Sequence, residues 1–264
     1  MSLGHAIVLG AVQGLTEFIP ISSSGHLVLV PEALGWDQPG LAFDVLLHVA
    51  SLAALVVYFA SDLIGIVRGF FSGDRAARRM VVLLAVGTVP AAIAGIVLKN
   101  YFEDAFTDAR AAALQLVITA AILVGAELVF ARHRRRGQRL RTMSDLGVGD
   151  ATAIGVAQAI SILPGISRSG STIGAGLALR MERDDAARFA FLLAIPALFG
   201  AALVEIPDLA GTELTSGAAI GGFLASLVTS YAAIAGLIRY MRTRTLYPFA
   251  IYCVVAGLFF YAIV

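Results

Sequence analysis

The sequence predicts an all-α polytopic membrane protein, with six transmembrane helices plus two re-entrant helical hairpins in an inverted-topology repeat. The first observation is composition: 59% of the 264 residues are hydrophobic and only 14% are charged, whereas a soluble protein carries about 25% charged residues. The second is a set of six apolar runs of roughly membrane-spanning length. The third is a pair of similar apolar segments, each interrupted by Pro, Gly and Ser.

The six predicted transmembrane helices are apolar runs close to the length of about 20 residues that crosses the hydrocarbon core. They occupy about 43–60, 80–98, 111–131, 188–206, 217–238 and 246–264. The two remaining apolar segments, about 2–36 and 147–180, are broken near the middle, and neither half of either segment can cross alone. Non-helical backbone at membrane depth survives only when it is buried in protein or lines a wet cavity. We therefore expect each segment to form a re-entrant helix–loop–helix hairpin.

The two broken segments align without a gap at an offset of 145 positions. The stretch Ile21-Ser-Ser-Ser-Gly-His26 in the first corresponds to Ile166-Ser-Arg-Ser-Gly-Ser171 in the second. The identities extend outward to Gly10 with Gly155, Gln13 with Gln158, Ala33 with Ala178 and Leu34 with Leu179. A polar Ser/Gly loop thus occurs once in each half, and we expect the two loops to meet and form one site.

Arginine counts in the connectors predict the topology, because cytoplasmic loops carry an excess of Lys and Arg. Three basic connectors are expected inside, namely 61–79, 132–146 and 239–245. The acidic loop 207–216 and the mixed loop 99–110 are expected outside.

Counting crossings from these sides makes the hairpin 2–36 enter from outside and the hairpin 147–180 enter from the cytoplasm. The chain is then one membrane domain, with repeat one at about 1–131, repeat two at about 147–264, and the basic cytoplasmic connector 132–146 between them. Inverted repeats of this kind place their binding site near the midplane, where broken helices meet.

The first loop carries the residues suited to acid–base or metal chemistry. Gln13 and Glu17 are four apart and share one helix face, and a carboxylate at membrane depth requires a partner, a metal or water. We interpret Glu17 as a metal ligand or general base; the alternative is an interhelical hydrogen bond. His26 can exchange a proton near neutral pH, although a histidine bound to a backbone carbonyl is the alternative. Hydroxyl and N–H groups at 22–24 either contact an anion or cap a helix.

The second loop carries Arg168, the only base between residues 147 and 179. Placing Arg at a helix centre costs about 2.5–3.5 kcal/mol, and a phosphate bound by two N–H groups offsets that cost. Ser167, Ser169 and Thr172 add donors, and the following half-helix directs its N-terminal N–H groups toward the same anion. An internal ion pair between Arg168 and Glu17 is the alternative, and the two interpretations can coexist when no substrate is bound.

Other features receive simpler interpretations. The net charge of +1 gives no reason to expect nucleic acid as a partner, and the single cysteine, Cys253, rules out a disulfide or zinc framework. His48 is interpreted as a helix–helix contact or a residue that lines the cavity. The sequence leaves the oligomeric state open, with a homodimer as one option.

Taken together, the motifs Gln13-Gly-Leu-Thr-Glu-Phe-Ile-Pro-Ile-Ser-Ser-Ser-Gly-His26 and Pro164-Gly-Ile-Ser-Arg-Ser-Gly-Ser-Thr172 resemble the undecaprenyl-diphosphate phosphatase family, also called the bacitracin-resistance family. The resemblance covers essentially the whole chain and includes Phe189-Ala-Phe-Leu-Leu-Ala-Ile-Pro196 and Tyr247-Pro-Phe-Ala-Ile-Tyr252. It implies hydrolysis of undecaprenyl diphosphate, a prenyl diphosphate lipid, to the monophosphate carrier used in peptidoglycan synthesis. It also implies a bacterial inner-membrane enzyme whose site opens to the outer face.

The resemblance also implies roles for individual residues. The catalytic set is Glu17, Ser23, His26 and Arg168; the substrate-binding set is Ser22, Ser24, Gly165, Ser167, Ser169, Gly170 and Thr172. A divalent cation, Mg²⁺ or Ca²⁺, is expected at Gln13 and Glu17, and Gln13 stands where the family has either Glu or Gln.

Two questions stay open at this point. The nucleophile is either Ser23 activated by His26, or a water activated by Glu17 or His26. The rival function is a lipid-carrier flippase or secondary transporter, because inverted repeats with broken helices are common in transporters. The asymmetry of the loops favours hydrolysis, since Glu17 and His26 correspond to Ile162 and Ser171, while only the second loop has Arg168.

Overall fold

The computed structural model describes residues 1–99, 101, 108–205 and 216–264. Within these ranges, the bounds of eleven α-helices and one 3-10 turn, Met143–Asp145, are defined. The helices are α1 Leu3–Phe18, α2 Ser23–Leu34, α3 Leu41–Tyr58, α4 Ala60–Ser72, α5 Arg75–Val97, α6 Ala109–Arg135, α7 Val148–Ile160, α8 Arg168–Ala178, α9 Arg183–Glu205, α10 Ser216–Met241 and α11 Tyr247–Ile263. The loops predicted at 99–110 and 207–216 lie largely outside the described residues.

Five helices are long and apolar enough to cross a membrane, namely α3, α5, α6, α9 and α10. They coincide with five of the six predicted spans. The sixth predicted span corresponds to α11, which has 17 residues, at the short end of the spanning range. Many large apolar side chains on these helices face outward, including Ile96 at 67% exposure and Val228 at 65%. The chain is therefore a helical, multi-pass membrane protein.

Each broken segment forms two short helices, because a turn interrupts the helical hydrogen bonds. Helices α1 and α2 have 16 and 12 residues, and helices α7 and α8 have 13 and 11. Between α1 and α2, Ser22 adopts φ +67°, and between α7 and α8, Gly165 adopts φ +94°. At Gly165 a side chain would also collide with the carbonyl oxygen of Ala112 on α6. The break in the second segment therefore requires glycine.

Two aligned serines cap the second helix of the two broken segments, one in each. The Ser22 hydroxyl accepts a hydrogen bond of 3.3 Å from the Gly25 N–H, and the Ser167 hydroxyl accepts one of 3.0 Å from the Gly170 N–H. A serine hydroxyl at this position satisfies an N–H group that the helix itself leaves unpaired. The aligned serines thus end the turn and begin the half-helix in the same way in each half.

Helices of one half pack against helices of the other in an exchanged pattern. Helix α1 lies along α10, and α7 lies along α5. In the first pair, a Cβ on Gly10 would lie 2.3 Å from the carbonyl oxygen of Gly222; in the second, a Cβ on Gly155 would lie 2.2 Å from that of Gly87. Gly10 and Gly155 are equivalent in the alignment of the segments. Small residues allow the two backbones to approach. In each case, the first helix of one half packs on a long helix of the other half.

Two features of the 61–79 and 132–146 connectors were not expected from the sequence. Most of the first connector is helical: α4 follows α3 after the single residue Phe59, and Asp62 forms an ion pair of 2.7 Å with Arg188. The second connector is anchored by Arg141, which makes two hydrogen bonds of 2.9 and 2.5 Å to the Asp150 carboxylate. Apolar residues in α4 recur at helical spacing, which explains why this stretch is helical.

An ion pair joins α6 to the starts of α9 and α11. Arg183, at the start of α9, donates two hydrogen bonds of 2.6 Å to the Glu127 carboxylate of α6. The same carboxylate accepts a 2.8 Å hydrogen bond from the Leu246 N–H, just before α11. Glu127 is 2% exposed, so this pair is a packed contact within the helical bundle.

Candidate active site

The two loops meet, and Glu17 and Arg168 face each other where they do. A Cβ on Gly25 would lie 3.0 Å from the Gly165 Cα, so the loop backbones touch. Across this contact the Arg168 guanidinium lies 3.3 Å from Glu17 Oε1. The Glu17 side chain is 3% exposed and the Arg168 side chain 28%. A buried carboxylate thus has a partly accessible cation beside it.

Three other side chains approach the second oxygen of the Glu17 carboxylate. The Ser23 hydroxyl donates a short hydrogen bond to Oε2, and Gln13 Nε2 donates one of 3.1 Å. His48 Nε2, on α3, lies 3.8 Å from the same oxygen. Three of the expected residues, Gln13, Glu17 and Ser23, are therefore in direct contact, and His48 lines the site.

His26 is held by two hydrogen bonds, neither of them to Ser23. Its Nδ1 lies 2.7 Å from the Ser22 carbonyl oxygen, and its Nε2 lies 2.7 Å from the Tyr252 hydroxyl on α11. The ring is 3% exposed. The expected pair of Ser23 with His26 is absent, and the structure pairs Ser23 with Glu17 instead. The reason is geometric: as first residue of α2, Ser23 faces back toward α1, while the imidazole returns to the Ser22 carbonyl one turn earlier.

The hydroxyl groups expected to bind substrate are mostly engaged within the protein. The Ser22 and Ser24 hydroxyls lie 3.3 Å apart, and the Ser167 and Ser169 hydroxyls lie 3.2 Å apart. Ser169 also donates to the Ile19 carbonyl at 3.3 Å, which ties the second loop to the first. The Thr172 hydroxyl donates to the Arg168 carbonyl at 2.8 Å, and to that of Ser169 at 3.3 Å.

Thr119 on α6 positions the second loop, although the sequence analysis did not select it. Its hydroxyl donates to the Gly165 carbonyl at 2.8 Å and accepts from the Ser167 N–H at 2.9 Å. Thr119 is 1% exposed. At Gly170 a Cβ would lie 3.1 Å from the Leu123 side chain, which is also on α6. The two expected glycines of this loop, Gly165 and Gly170, therefore allow it to pack closely on α6.

One expected metal ligand has a free ligand atom. Gln13 is fully buried, and its carbonyl oxygen Oε1 has no hydrogen-bond partner. Its counterpart in the second half, Gln158, is also buried and has no side-chain partner on either amide atom. Across the described residues no group of three or more His, Cys, Asp or Glu side chains comes together. A cation at Glu17 would therefore draw on few protein ligands.

Comparison with known proteins shows the family to which the chain belongs. A family model described as "Bacitracin resistance protein BacA" matches residues 6–259. The chain belongs to this family. The resemblance inferred from the two loop motifs is therefore confirmed.

Curated relatives of the BacA family match over nearly their whole length. An undecaprenyl-diphosphatase of Syntrophotalea carbinolica is 43% identical over 268 residues, covering 100% of this chain and 99% of the relative. An undecaprenyl-diphosphatase of Gloeobacter violaceus is 42% identical over 256 residues, covering 94% and 87%. One of Chlorobium phaeobacteroides is 39% identical over 269 residues, covering 97% and 95%. The likeness is of whole chain to whole chain.

Proposed function

We propose that this chain is an integral membrane phosphatase that hydrolyses undecaprenyl diphosphate to undecaprenyl phosphate and inorganic phosphate. Membership of the BacA family and the names of its relatives support this activity. The observation that carries the proposal is the pair of Glu17 and Arg168, 3.3 Å apart where two broken helices meet. In this role the enzyme recycles the lipid carrier for peptidoglycan synthesis and confers resistance to bacitracin.

Arg168 is the group best suited to hold the diphosphate. Its side chain is the more accessible member of the pair with Glu17, so the guanidinium can exchange the carboxylate for phosphate oxygens. The N-terminus of α8 lies at the same point, and helix N-termini favour anions. Charge that develops during phosphoryl transfer is stabilised by such fixed donors. We assign the hydroxyls of Ser22, Ser24, Ser167, Ser169 and Thr172, and the backbone at Gly165 and Gly170, to this anion-binding surface.

Ser23 is the nucleophile that the hydrogen bonds favour. Its hydroxyl already donates to Glu17 Oε2, so the carboxylate can take the proton as the Ser23 oxygen bonds to the terminal phosphorus. The bond from that phosphorus to the bridging oxygen then breaks, and the lipid monophosphate leaves. Water hydrolyses the phosphoserine and releases inorganic phosphate. The alternative is a single step in which water, deprotonated by Glu17 or His26, attacks the same phosphorus.

A divalent cation fits the residues near Glu17. The unpartnered Oε1 of Gln13 and the Glu17 carboxylate provide oxygen ligands, which Mg²⁺ and Ca²⁺ prefer. Magnesium commonly uses one or two protein ligands and completes its shell with water and substrate phosphates, which agrees with this small set. When bound, the cation would neutralise charge on the diphosphate.

We further propose that the fold is an inverted-topology repeat in the bacterial inner membrane, with its site open to the outer face. Repeat one is about 1–131 and repeat two about 147–264, each a re-entrant hairpin followed by three spans, with the basic connector 132–146 on the cytoplasmic side. The exchanged packing of α1 with α10 and of α7 with α5 supports this arrangement. The arginine-rich connectors support the orientation.

The rival function, a flippase or secondary transporter of the lipid carrier, has the same architecture. A transporter requires a binding site that both faces of the membrane can reach. In this chain, however, the two halves contribute different chemical groups to the site. The carboxylate, the serine and the imidazole all come from the first half, and the second half has Ile162 and Ser171 where the first has Glu17 and His26. This asymmetry favours hydrolysis.

The test is release of phosphate from a prenyl diphosphate by the purified protein, beside Glu17→Ala and Arg168→Ala. We expect each variant to lose about 10²–10⁴-fold in turnover, the usual range for loss of an acid–base or charge-stabilising group. Glu32→Ala and Arg242→Ala, at exposed positions, are the matched controls. Wild-type turnover in both site variants contradicts the assignment. Binding or movement of the lipid without phosphate release favours the transporter.

A second experiment separates the two nucleophiles. Acid quenching during turnover, followed by mass spectrometry of the peptide that contains Ser23, detects a phosphoserine if the enzyme forms one. We expect the phosphoserine in the wild-type protein and its absence in Ser23→Ala. Turnover near the wild-type rate in Ser23→Ala shows that water attacks directly.

A further inference from the structure

Tyr252 and His26 form a contact between the two halves, and the sequence analysis assigned no site role to Tyr252. The Tyr252 hydroxyl is 2.7 Å from His26 Nε2. The two rings are also nearly parallel, with an angle of 13° and centroids 5.7 Å apart. Tyr252 lies on α11 and His26 near the start of α2, so 226 positions of sequence separate them. The contact combines a directed hydrogen bond with ring packing on the same imidazole.

The partners of His26 determine which nitrogen carries its proton. Nδ1 faces the Ser22 carbonyl oxygen at 2.7 Å, and a carbonyl only accepts hydrogen bonds, so Nδ1 is the N–H donor. In the neutral ring the lone pair then lies on Nε2, where the Tyr252 hydroxyl donates. If Nε2 is protonated, the same hydroxyl can turn and accept. A hydroxyl group therefore suits both protonation states, which a carboxylate or an amine cannot do equally well.

Tyr252 also separates the imidazole from the lipid-facing surface of α11. It is 42% exposed, whereas His26 is 3% exposed. Its neighbours Ile251 and Val255 are exposed by 64% and 63%. The ring of Phe260 lies nearly perpendicular to the imidazole, at 86° and with ring centroids 6.4 Å apart. Two aromatic side chains of α11 thus contact the ring of His26.

We infer that Tyr252 is a positioning residue for His26, which fixes the orientation of the imidazole through its hydrogen bond to Nε2. The inference rests on the proposed phosphatase function, with His26 in the catalytic set that the family resemblance implies. Tyr252 acts through His26 and has no separate contact with the phosphate. Its loss therefore lowers turnover, changes the substrate KM little, and has no effect once the imidazole is gone.

A double-mutant cycle with Tyr252→Phe and His26→Ala tests this, because residues that act through one another are not additive. Phenylalanine keeps the packing and removes only the hydroxyl. Loss of one hydrogen bond, worth about 1–1.5 kcal/mol, corresponds to a fall in kcat of about tenfold. In the His26→Ala background we expect Tyr252→Phe to cause no further loss. Tyr261→Phe is the matched control and should keep wild-type turnover, because Tyr261 is an exposed tyrosine further along the same helix, on its opposite face.

Two kinetic outcomes overturn the inference. In the first, Tyr252→Phe has the same kcat as Tyr261→Phe. In the second, Tyr252→Phe lowers kcat by the same factor in the His26→Ala background as in the wild type. If His26→Ala has no measurable activity, the ¹⁵N signals of the His26 ring decide instead. We expect a protonated Nδ1 and a hydrogen-bonded, unprotonated Nε2 in the wild type and in Tyr261→Phe, and a shifted Nε2 signal in Tyr252→Phe. Identical signals in all three proteins overturn the inference. Absence of phosphate release by the wild type refutes the proposed function separately, and leaves the ¹⁵N result to test the contact itself.

Discussion

Replacing Gln13 with glutamate tests the proposed cation site directly. Gln13 Nε2 is 3.1 Å from Glu17 Oε2, so Gln13→Glu places a second carboxylate beside a buried one. Two like charges about 4 Å apart repel by about 4 kcal/mol at an effective dielectric constant of 20. The lost hydrogen bond adds about 1 kcal/mol. Arg168 offsets part of this destabilisation, because its guanidinium lies beside the Glu17 carboxylate.

A divalent cation between the two carboxylates reverses the sign of that interaction. In Gln13→Glu we therefore expect a lower thermal-unfolding midpoint in EDTA, which Mg²⁺ restores. We also expect the Mg²⁺ concentration for half-maximal phosphate release to fall at least about tenfold, which corresponds to about 1.4 kcal/mol of additional binding. The readouts are thermal unfolding and phosphate release, each across a Mg²⁺ titration.

Gln158→Glu is the matched control, because the second half offers the equivalent glutamine without a carboxylate four residues further along the helix. Gln158 is 2% exposed and corresponds to Gln13, while Ile162 stands in place of Glu17. We expect this variant to lose stability in the absence of Mg²⁺ and to recover nothing when it is added. An unchanged Mg²⁺ requirement in Gln13→Glu, or equal rescue of both variants, refutes the placement of the cation.

Three further predictions concern the framework that holds the site. Gly155→Ala should cost about 1–3 kcal/mol in unfolding experiments, because its methyl group meets a backbone carbonyl of α5 that cannot yield; Gly125→Ala, which meets nothing within 4 Å, should not. Glu127→Gln should lower the free energy of unfolding by up to about 3–5 kcal/mol, because it leaves the partly buried Arg183 without its carboxylate. The hydrogen-bonded arginine beside Asp150 holds the pKa of that carboxyl below its usual value. Asp150 should therefore add stability above about pH 4 and lose it on further acidification, so wild type and Asp150→Asn should converge in acid unfolding.

The broken helices could be predicted from local sequence, and the meeting of their loops from the internal repeat. Proline and glycine interrupt an apolar run wherever they occur, and the 145-position alignment marks the two interruptions as equivalent. The juxtaposition of Glu17 with Arg168 follows from the cost of leaving either charge alone at membrane depth. The roles of the individual site residues remain proposals.

Residues contributed by distant helices could not be predicted, because no local pattern distinguishes them. Thr119 is one hydroxyl in an apolar helix, and Tyr252 is one of seven tyrosines. Each acquires its contact only when α6 or α11 packs against a loop from the other half. The pairing of Ser23 was missed for a related reason: three-residue spacing on a helix brings Ser23 near His26, but α1 offers the carboxylate of Glu17 more directly.

The opposite charges of the site come from different halves of the chain, Glu17 from the first and Arg168 from the second. Within its own hairpin, Glu17, 6% exposed, has hydrogen-bond donors but no cationic partner. Arg168 likewise finds its carboxylate partner in the other hairpin. Each such group costs about 2.5–3.5 kcal/mol at membrane depth, and their contact offsets both costs. The same contact makes the resting site nearly neutral and leaves Arg168 with a partner that an incoming diphosphate can replace. In the proposed mechanism, Arg168 moves to the phosphate while Glu17 keeps its hydrogen bond from Ser23. Loss of the neighbouring positive charge would then favour transfer of the serine proton to Glu17, so the proposal couples substrate binding to activation of the serine through one ion pair.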